Sequence, residues 1–264
     1  MPIWLYEIAP WQVALLMLVV IEVLSLLGLF AARRFLLPSL RFNEGINDAV
    51  SGIVQAIGVF YGITVGLIAV SVWNTNSTSA DLVSKEAASI GALYRDVSGY
   101  PSPVKEELRA KLRDYIVFTI EQAWPAQKKG QILDGGTQIL EDFRSKLFSF
   151  EPRTMGEAAL HQETLGAFNN LTENRRLRVA AVLSGLSHVM WAVIWIGAAF
   201  SIAVAYLYKI EDPRIHAILV ALMSGFLSVV LFMIVINDKP FYGHVSITPE
   251  PYKLILDRLI AISN

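Results

Sequence analysis

The sequence predicts an all-α membrane protein with four transmembrane helices in two pairs. The apolar stretches 11–30 and 49–73 form the first pair, and 189–208 and 216–236 form the second. Each supplies about the 20 apolar residues that a helix needs to cross the hydrocarbon core of a bilayer. Mostly polar residues, 74–188, separate the pairs. The sequence therefore predicts a helical extramembrane domain inserted between transmembrane helices 2 and 3.

This layout divides the chain into four parts. Residues 1–73 hold transmembrane helices 1 and 2, and residues 74–188 form the insert. Residues 189–236 hold helices 3 and 4. Residues 237–264 are expected to form a turn and an amphipathic helix that docks on the insert.

Within the insert, apolar residues at helical spacing predict a bundle of helices. Four stretches carry this pattern or helix-boundary residues: 79–98, a helix from Ser102-Pro103 to Trp124-Pro125, 137–149, and a helix from about Thr154, whose continuation through Arg175 into the third span stays open.

The composition argues against an enzyme. The formal net charge is -1, so no global field recruits nucleic acid, and there is no cysteine for a disulfide or a thiolate site. The four histidines form no metal-binding pair, and neither a P-loop nor a nucleophile elbow is present. We therefore predict no enzymatic activity, no cofactor and no metal site.

Glu22 is an intramembrane carboxylate in the interior of the first span. An ionised carboxylate there is costly unless it meets a partner or water. Two interpretations stay open: Glu22, ionised or protonated, faces a water-filled path, or it makes a hydrogen bond between helices.

The second span carries the most informative pattern. Ser51, Gln55, Gly58, Gly62 and Gly66 fall on one helix face. Small residues at four-residue spacing let two helices pack closely in lipid. The amide of Gln55 needs polar partners, which a neighbouring helix or pore water would provide. The face is thus a candidate for pore lining or for tight helix packing.

A second face of the same span is an alternative candidate for a pore neck. It carries Phe60, Thr64 and Leu67. If the glycine face packs, this face would form an apolar constriction of the kind that gates pores by dewetting.

The segment after the fourth span predicts a turn. Asp238, Pro240, Phe241 and Gly243 are its main residues, and a final helix capped by Thr248 follows. The turn is expected to dock that helix.

Several segments, in this order, resemble the prokaryotic bestrophin-like family of unknown function. They are Asn47-Asp48, Gly58-Val59-Phe60-Tyr61, Trp73, Lys85-Glu86-Ala87-Ala88, Leu93-Tyr94-Arg95-Asp96, Asp238-Lys239-Pro240-Phe241-Tyr242-Gly243 and Thr248-Pro249-Glu250-Pro251. The resemblance covers most of residues 45–260. More distantly, the plan is similar to that of bestrophin ion channels.

That resemblance implies a pentamer with the second span lining a central pore, and a cytosolic insert. The loop charges instead favour an insert on the outer side by the positive-inside rule, so its side stays open. Calcium-activated bestrophins carry an acidic run after the turn, whereas His244-Val245-Ser246 follows here. No calcium gating is therefore predicted.

The resulting hypothesis is a multi-pass, homo-oligomeric ion channel of the cell (inner) membrane, whose partners are membrane lipid, inorganic ions and further copies of itself. The alternative is a non-conducting membrane scaffold or sensor whose helical domain binds a partner. A transporter would need broken spans or inverted repeats, and neither is evident.

Overall fold

The computed structural model describes residues 4–39 and 45–263, with side chains through Arg258. The described residues form α-helices joined by turns and contain no strand. The helices are α1 (Trp4–Glu7), α2 (Pro10–Ala31), α3 (Ile46–Val97), α4 (Val104–Phe118), α5 (Trp124–Gln127), α6 (Gly135–Phe148), α7 (Met155–Val182), α8 (His188–Ala205), α9 (Pro213–Asn237) and α10 (Glu250–Ser263). The all-α prediction is confirmed.

The chain divides into two compact units. The first comprises Met1–Asn74 and Gly185–Asp238, and the second comprises Thr75–Ser184 and Lys239–Asn264. Helix α3 contributes residues to both.

Four helical segments are long and apolar enough to cross a membrane. They are Pro10–Ser39, Ile46–Val97, His188–Ala205 and Pro213–Asn237. In the first unit, α2 and α8 both pack against α9. Many of the large apolar side chains on these helices are exposed, as expected for helices whose solvent is lipid.

The helix that contains the second span does not end at Trp73. Helix α3 runs without a break from Ile46 to Val97, so the second span and the helix predicted over 79–98 are one element of 52 residues. No proline lies between them, and hydroxyls such as that of Ser79 donate to the carbonyl four residues earlier in the same helix. Polar composition alone therefore does not end this helix.

The fourth insert helix does not continue into the third span. Helix α7 ends at Val182 and α8 begins at His188, with Gly185 in a positive-φ conformation between them. The hydroxyl of Ser187 accepts a hydrogen bond from the Met190 backbone and caps α8.

The predicted end of the second insert helix at Trp124-Pro125 also differs. Helix α4 ends at Phe118, and a π-helical turn, Thr119–Ala123, connects it directly to α5. Pro125 lies in the first turn of α5.

The second unit is a helical bundle around one hydrophobic core. Its fully buried apolar side chains come from the predicted stripes of α3 and α4, and from α6, α7 and α10. Among them are Ile90, Leu93, Leu108, Leu112, Ile116, Phe143, Leu147, Leu171 and Tyr252.

Candidate functional site

Helix α3 has a packed side and an open side within the first unit. Val50, Val65, Ile68 and Val72 are buried, which defines the packed side. Tyr61 lies on that side, and its hydroxyl donates to the Ile194 carbonyl of α8 at 2.9 Å. On the remaining circumference of the span, most side chains are exposed within the part of the chain that the structure describes.

The close contact between α3 and α8 depends on a glycine of α8. A Cβ atom at Gly197 would overlap the Tyr61 ring. Gly197 therefore performs the close-packing role that small residues have in membrane helices. The glycines of α3 are candidates for that role or for pore lining by their spacing in the sequence.

The glycine face of α3 lies open. Gly58, Gly62 and Gly66 have no heavy atom within 4 Å of the place where a Cβ would stand, and Gln55 is exposed beside them. Within the described part of one chain, these glycines do not mediate a helix contact. Ser51 differs from them, because its hydroxyl is half-buried and lies 3.1 Å from the Tyr208 hydroxyl.

The three residues of the alternative neck face also differ in their exposure. Phe60 and Leu67 are 74% and 68% exposed. Thr64 is half-buried at the edge of the packed side, and its hydroxyl donates to the Phe60 carbonyl at 2.8 Å. Phe60 and Leu67 thus share an open face that Thr64 does not.

A third group lies directly opposite the packed side, and the sequence analysis missed it. Val59, Ile63 and Val70 are 58–59% exposed, and a helix turns by about 100° per residue, which places them on the far side from Val65 and Ile68. They carry no polar atom in their side chains, so nothing in the sequence separates them from lipid-facing residues.

The aspartate of the turn after α9 joins three segments of the first unit. The Asp238 carboxylate accepts from the Tyr6 hydroxyl at 3.3 Å and from the Leu186 N–H at 2.6 Å. Asp238 is 2% exposed. It therefore holds the end of α9 to α1 and to the turn before α8.

The rest of the turn belongs to the second unit. Phe241 is fully buried and meets the Trp124 ring at a centroid distance of 5.8 Å. The Pro240 carbonyl accepts from the Ile247 N–H at 2.9 Å, and Gly243 adopts a φ of 71°. The Tyr242 hydroxyl lies against Gly130, which has no room for a Cβ.

A buried polar cluster lies at the centre of the second unit and was also missed. The Arg178 Nε donates to Glu86 Oε2 at 2.5 Å, and the Tyr115 hydroxyl donates to Glu86 Oε1 at 2.5 Å. The Gln127 side-chain oxygen accepts from Arg178 at 2.9 Å. The Trp124 ring centroid lies 5.6 Å from the guanidinium carbon. These contacts join α3, α4, α5 and α7.

The electrostatics of this cluster favour the charged pair. Burial by itself would lower the pKa of the Arg178 guanidinium, but the Glu86 carboxylate outweighs it and holds that pKa above its usual value. Burial, together with the same carboxylate, raises the pKa of the Tyr115 hydroxyl. Glu86 lies in the Lys85-Glu86-Ala87-Ala88 segment, which was the only sequence signal for the cluster.

Glu22 meets α9 within the first unit. Its Oε2 lies 2.9 Å from the Ser224 hydroxyl, so a hydrogen bond between helices is present. No group of three or more His, Cys, Asp or Glu side chains that could hold a metal occurs in residues 4–39 and 45–263.

The comparisons with known proteins agree with this architecture. The Bestrophin-like domain matches residues 19–252. The fold is similar to crystal structures of a bacterial bestrophin homologue from Klebsiella pneumoniae that carry different point mutations. One has a TM-score of 0.67 at 8% identity and covers 95% of this chain and 99% of that chain. A second has 0.67 at 8% and covers 98% and 99%, and a third has 0.63 at 10% and covers 95% and 99%.

Among curated proteins, none matches this chain. The domain match extends over most of the sequence, from within the first span to the final helix. The chain is therefore a membrane protein that belongs to the Bestrophin-like family.

Proposed function

We propose that the chain forms a homo-oligomeric, pentameric ion channel of the cell membrane, with α3 lining a central pore. The observation that carries the proposal is the open side of α3. Its glycines have no neighbour within 4 Å of a Cβ, and its exposed surface includes the amide of Gln55.

An exposed amide within a span is unfavourable in lipid, because its donors and acceptors lose water without gaining partners. A ring of subunits around an axis would give Gln55 either water or a neighbouring subunit. The same ring would cover the exposed apolar surface formed by Phe60, Ile63 and Leu67.

The three open faces of α3 have different roles in such a ring. A face on the axis meets water, and its flanks meet the two neighbouring subunits. Gln55 with Gly58, Gly62 and Gly66 is our candidate for the wet face, and Phe60 with Leu67 is the candidate neck. Ile63 lies between these faces on the helix circumference.

Cysteine accessibility tests this assignment directly, because the natural chain contains no cysteine. The variants Gln55→Cys, Phe60→Cys and Ile63→Cys would be recorded in planar bilayers during addition of a charged thiosulfonate. Leu222→Cys is the control, since Leu222 is 68% exposed on α9. We expect the pore-facing position to be modified on the order of tenfold faster than Leu222→Cys, because lipid excludes the charged reagent.

Single-channel currents from the purified oligomer are the first expected result. A second variant, Gln55→Leu, should change conductance and leave assembly intact if Gln55 meets the pore. Folded oligomers that stay silent across voltages and salts, with no position of α3 modified faster than Leu222→Cys, would favour the scaffold alternative instead.

A further inference from the structure

Glu22 is the sole ionisable side chain of α2. It lies twelve residues after Pro10 in a helix of 22 residues, which places it about 18 Å from the start of a helix about 33 Å long. The carboxylate is therefore near the middle of a membrane-spanning helix.

Two neighbouring residues of α9 form the binding site of this carboxyl group. The Ser224 hydroxyl lies 2.9 Å from Glu22 Oε2, and Ser224 is fully buried. The next residue, Gly225, leaves the room for the other oxygen, because a Cβ there would stand 2.8 Å from Oε1. A serine and a glycine together thus accommodate one carboxyl group.

No cation within ion-pair distance neutralises Glu22 among the residues that the structure describes. Besides Glu22, the ionisable acids, bases and histidines of the packed helices α2, α8 and α9 are His188, Arg214 and His216. His216 is eight residues from Ser224, or about 12 Å along α9.

The charged groups of the α2–α9 contact lie at its two ends. Arg33 donates to the Ile210 and Glu211 carbonyls and lies 3.2 Å from the Nδ1 atom of His216. The Nε2 atom of His216 lies 3.1 Å from the Ala205 carbonyl and so carries the ring hydrogen. Arg33 therefore makes its hydrogen bonds at this end of the contact.

The other end holds the Tyr6–Asp238 hydrogen bond. Asp238 is fourteen residues from Ser224, which is about 21 Å along the helix axis. Neither end can supply a counter-charge to Glu22 across that distance.

We infer that Glu22 is a proton-binding site, occupied at neutral pH, in which a neutral carboxylic acid joins α2 to α9. The acid hydroxyl donates to the Ser224 oxygen, and the Ser224 hydroxyl donates onward to the Ala221 carbonyl, 3.3 Å away. Each donor then has an acceptor. An ionised Glu22 would have to take the single Ser224 hydrogen and would still leave an unpaired charge in the membrane.

The ligand of this site is therefore a proton, and its release weakens the contact between α2 and α9. A sodium ion is the competing ligand, because carboxylate, hydroxyl and carbonyl oxygens also suit a hard cation. The inference requires only that α2 and α9 span a membrane, and it does not depend on channel activity.

Infrared spectroscopy of the intact protein in lipid nanodiscs gives the first test. The spectrum of the native chain minus that of Glu22→Gln at neutral pH should contain the carbonyl band of a protonated carboxylic acid. Bands of an ionised carboxylate in its place would overturn the inference.

Infrared spectra of two glycine variants test the binding site of the carboxyl group on α9. Gly225→Ala should shift that band, because the added Cβ displaces the carboxyl group. Gly52→Ala is the matched control, since nothing lies within 4 Å of a Cβ there. An unchanged band in Gly225→Ala would contradict the proposed binding site of the carboxyl group beside Gly225.

Carbodiimide labelling tests the native sequence without any substitution. Dicyclohexylcarbodiimide adds to protonated carboxyl groups in apolar surroundings, and peptide mapping locates the adduct. We expect labelling of Glu22 and not of the exposed Glu7, with a fall of about tenfold for each pH unit once the proton is lost. Protection by sodium at constant pH would identify a cation site and overturn the proton assignment.

Discussion

The side chains of Glu86 and Arg178 form an ion pair at 2.5 Å that is almost completely excluded from solvent, with exposures of 0% and 2%. The two residues are 92 positions apart and join α3 to α7. A buried pair of this kind is costly to break, because removal of one partner leaves the other as an uncompensated charge.

Replacement of Arg178 should therefore destabilise the second unit. We expect Arg178→Met to lower the free energy of unfolding by about 3–5 kcal/mol. The double variant Glu86→Leu/Arg178→Met should lose less than the sum of the two single variants. Thermal melts of the detergent-solubilised protein measure both effects.

An exposed ion pair provides the control. Lys111 and Asp142 lie 3.1 Å apart but are 40% and 64% exposed. Asp142→Asn should cost only about 0–1 kcal/mol. Equal losses in Asp142→Asn and Arg178→Met would mean that burial does not govern the strength of the Glu86–Arg178 pair.

The phenol of Tyr115 predicts a loss of stability at alkaline pH. Burial and the Glu86 carboxylate raise the pKa of Tyr115 above its ordinary value of 10.0. The neutral phenol is thus favoured in the folded state. Its contribution to stability is complete below pH 10 and is lost as the pH rises through the folded-state pKa.

Phenolate absorbance during a pH titration measures this effect. The native protein should retain unionised phenols above pH 10 until it unfolds, and Tyr252 should contribute as well, because burial raises its pKa. Tyr115→Phe should remove part of the alkaline loss of stability. Titration of every tyrosine near pH 10 in the folded protein would contradict the proposed burial.

Gly130 should tolerate no larger residue. It adopts a φ of 73°, and a Cβ atom would overlap the Tyr242 hydroxyl. Gly130→Ala should cost on the order of 1–2 kcal/mol or more, since the left-handed conformation alone costs that much for a residue with a side chain. Denaturation midpoints provide the measurement.

Gly166 is the matched control for this substitution. It lies in α7 with nothing within 4 Å of a Cβ, so Gly166→Ala should stabilise the helix by about 0.5–1 kcal/mol. The two alanine variants should therefore change stability in opposite directions. A stabilised Gly130→Ala would refute the contact with Tyr242.

Asp238 should matter more than its tyrosine partner. Tyr6→Phe removes one hydrogen bond and should cost about 0.5–1.5 kcal/mol. Asp238→Ala also leaves the Leu186 N–H without its acceptor, so its cost should be larger. Equal losses for Asp238→Ala and Tyr6→Phe would show that the bond to Leu186 contributes nothing.

The spans could be predicted because lipid imposes a composition that appears in the sequence itself. The length of α3 could not, because the absence of a proline after Trp73 is weak evidence for continuity. Ser51 belongs to the glycine stripe by helical spacing, but its partner Tyr208 lies 157 positions away. Such pairings depend on tertiary contacts that spacing along one helix does not encode.

The glycines illustrate a different limit. Helical spacing placed Gly58, Gly62 and Gly66 on one face, but it could not tell whether that face meets a helix, water or lipid. The close contact between α3 and α8 instead involves Gly197. Gly197 is a single glycine in α8, so no repeated spacing of small residues points to it. In the proposed oligomer, other copies of the chain cover the open face of α3.

Electron cryomicroscopy of the purified particle in lipid nanodiscs tests the central proposal most directly, because it reports the number of subunits and the contents of the axis together. We predict a ring of five subunits with α3 of each subunit nearest a water-filled axis. A single subunit, or a ring whose axis is filled with acyl chains, would contradict the proposal.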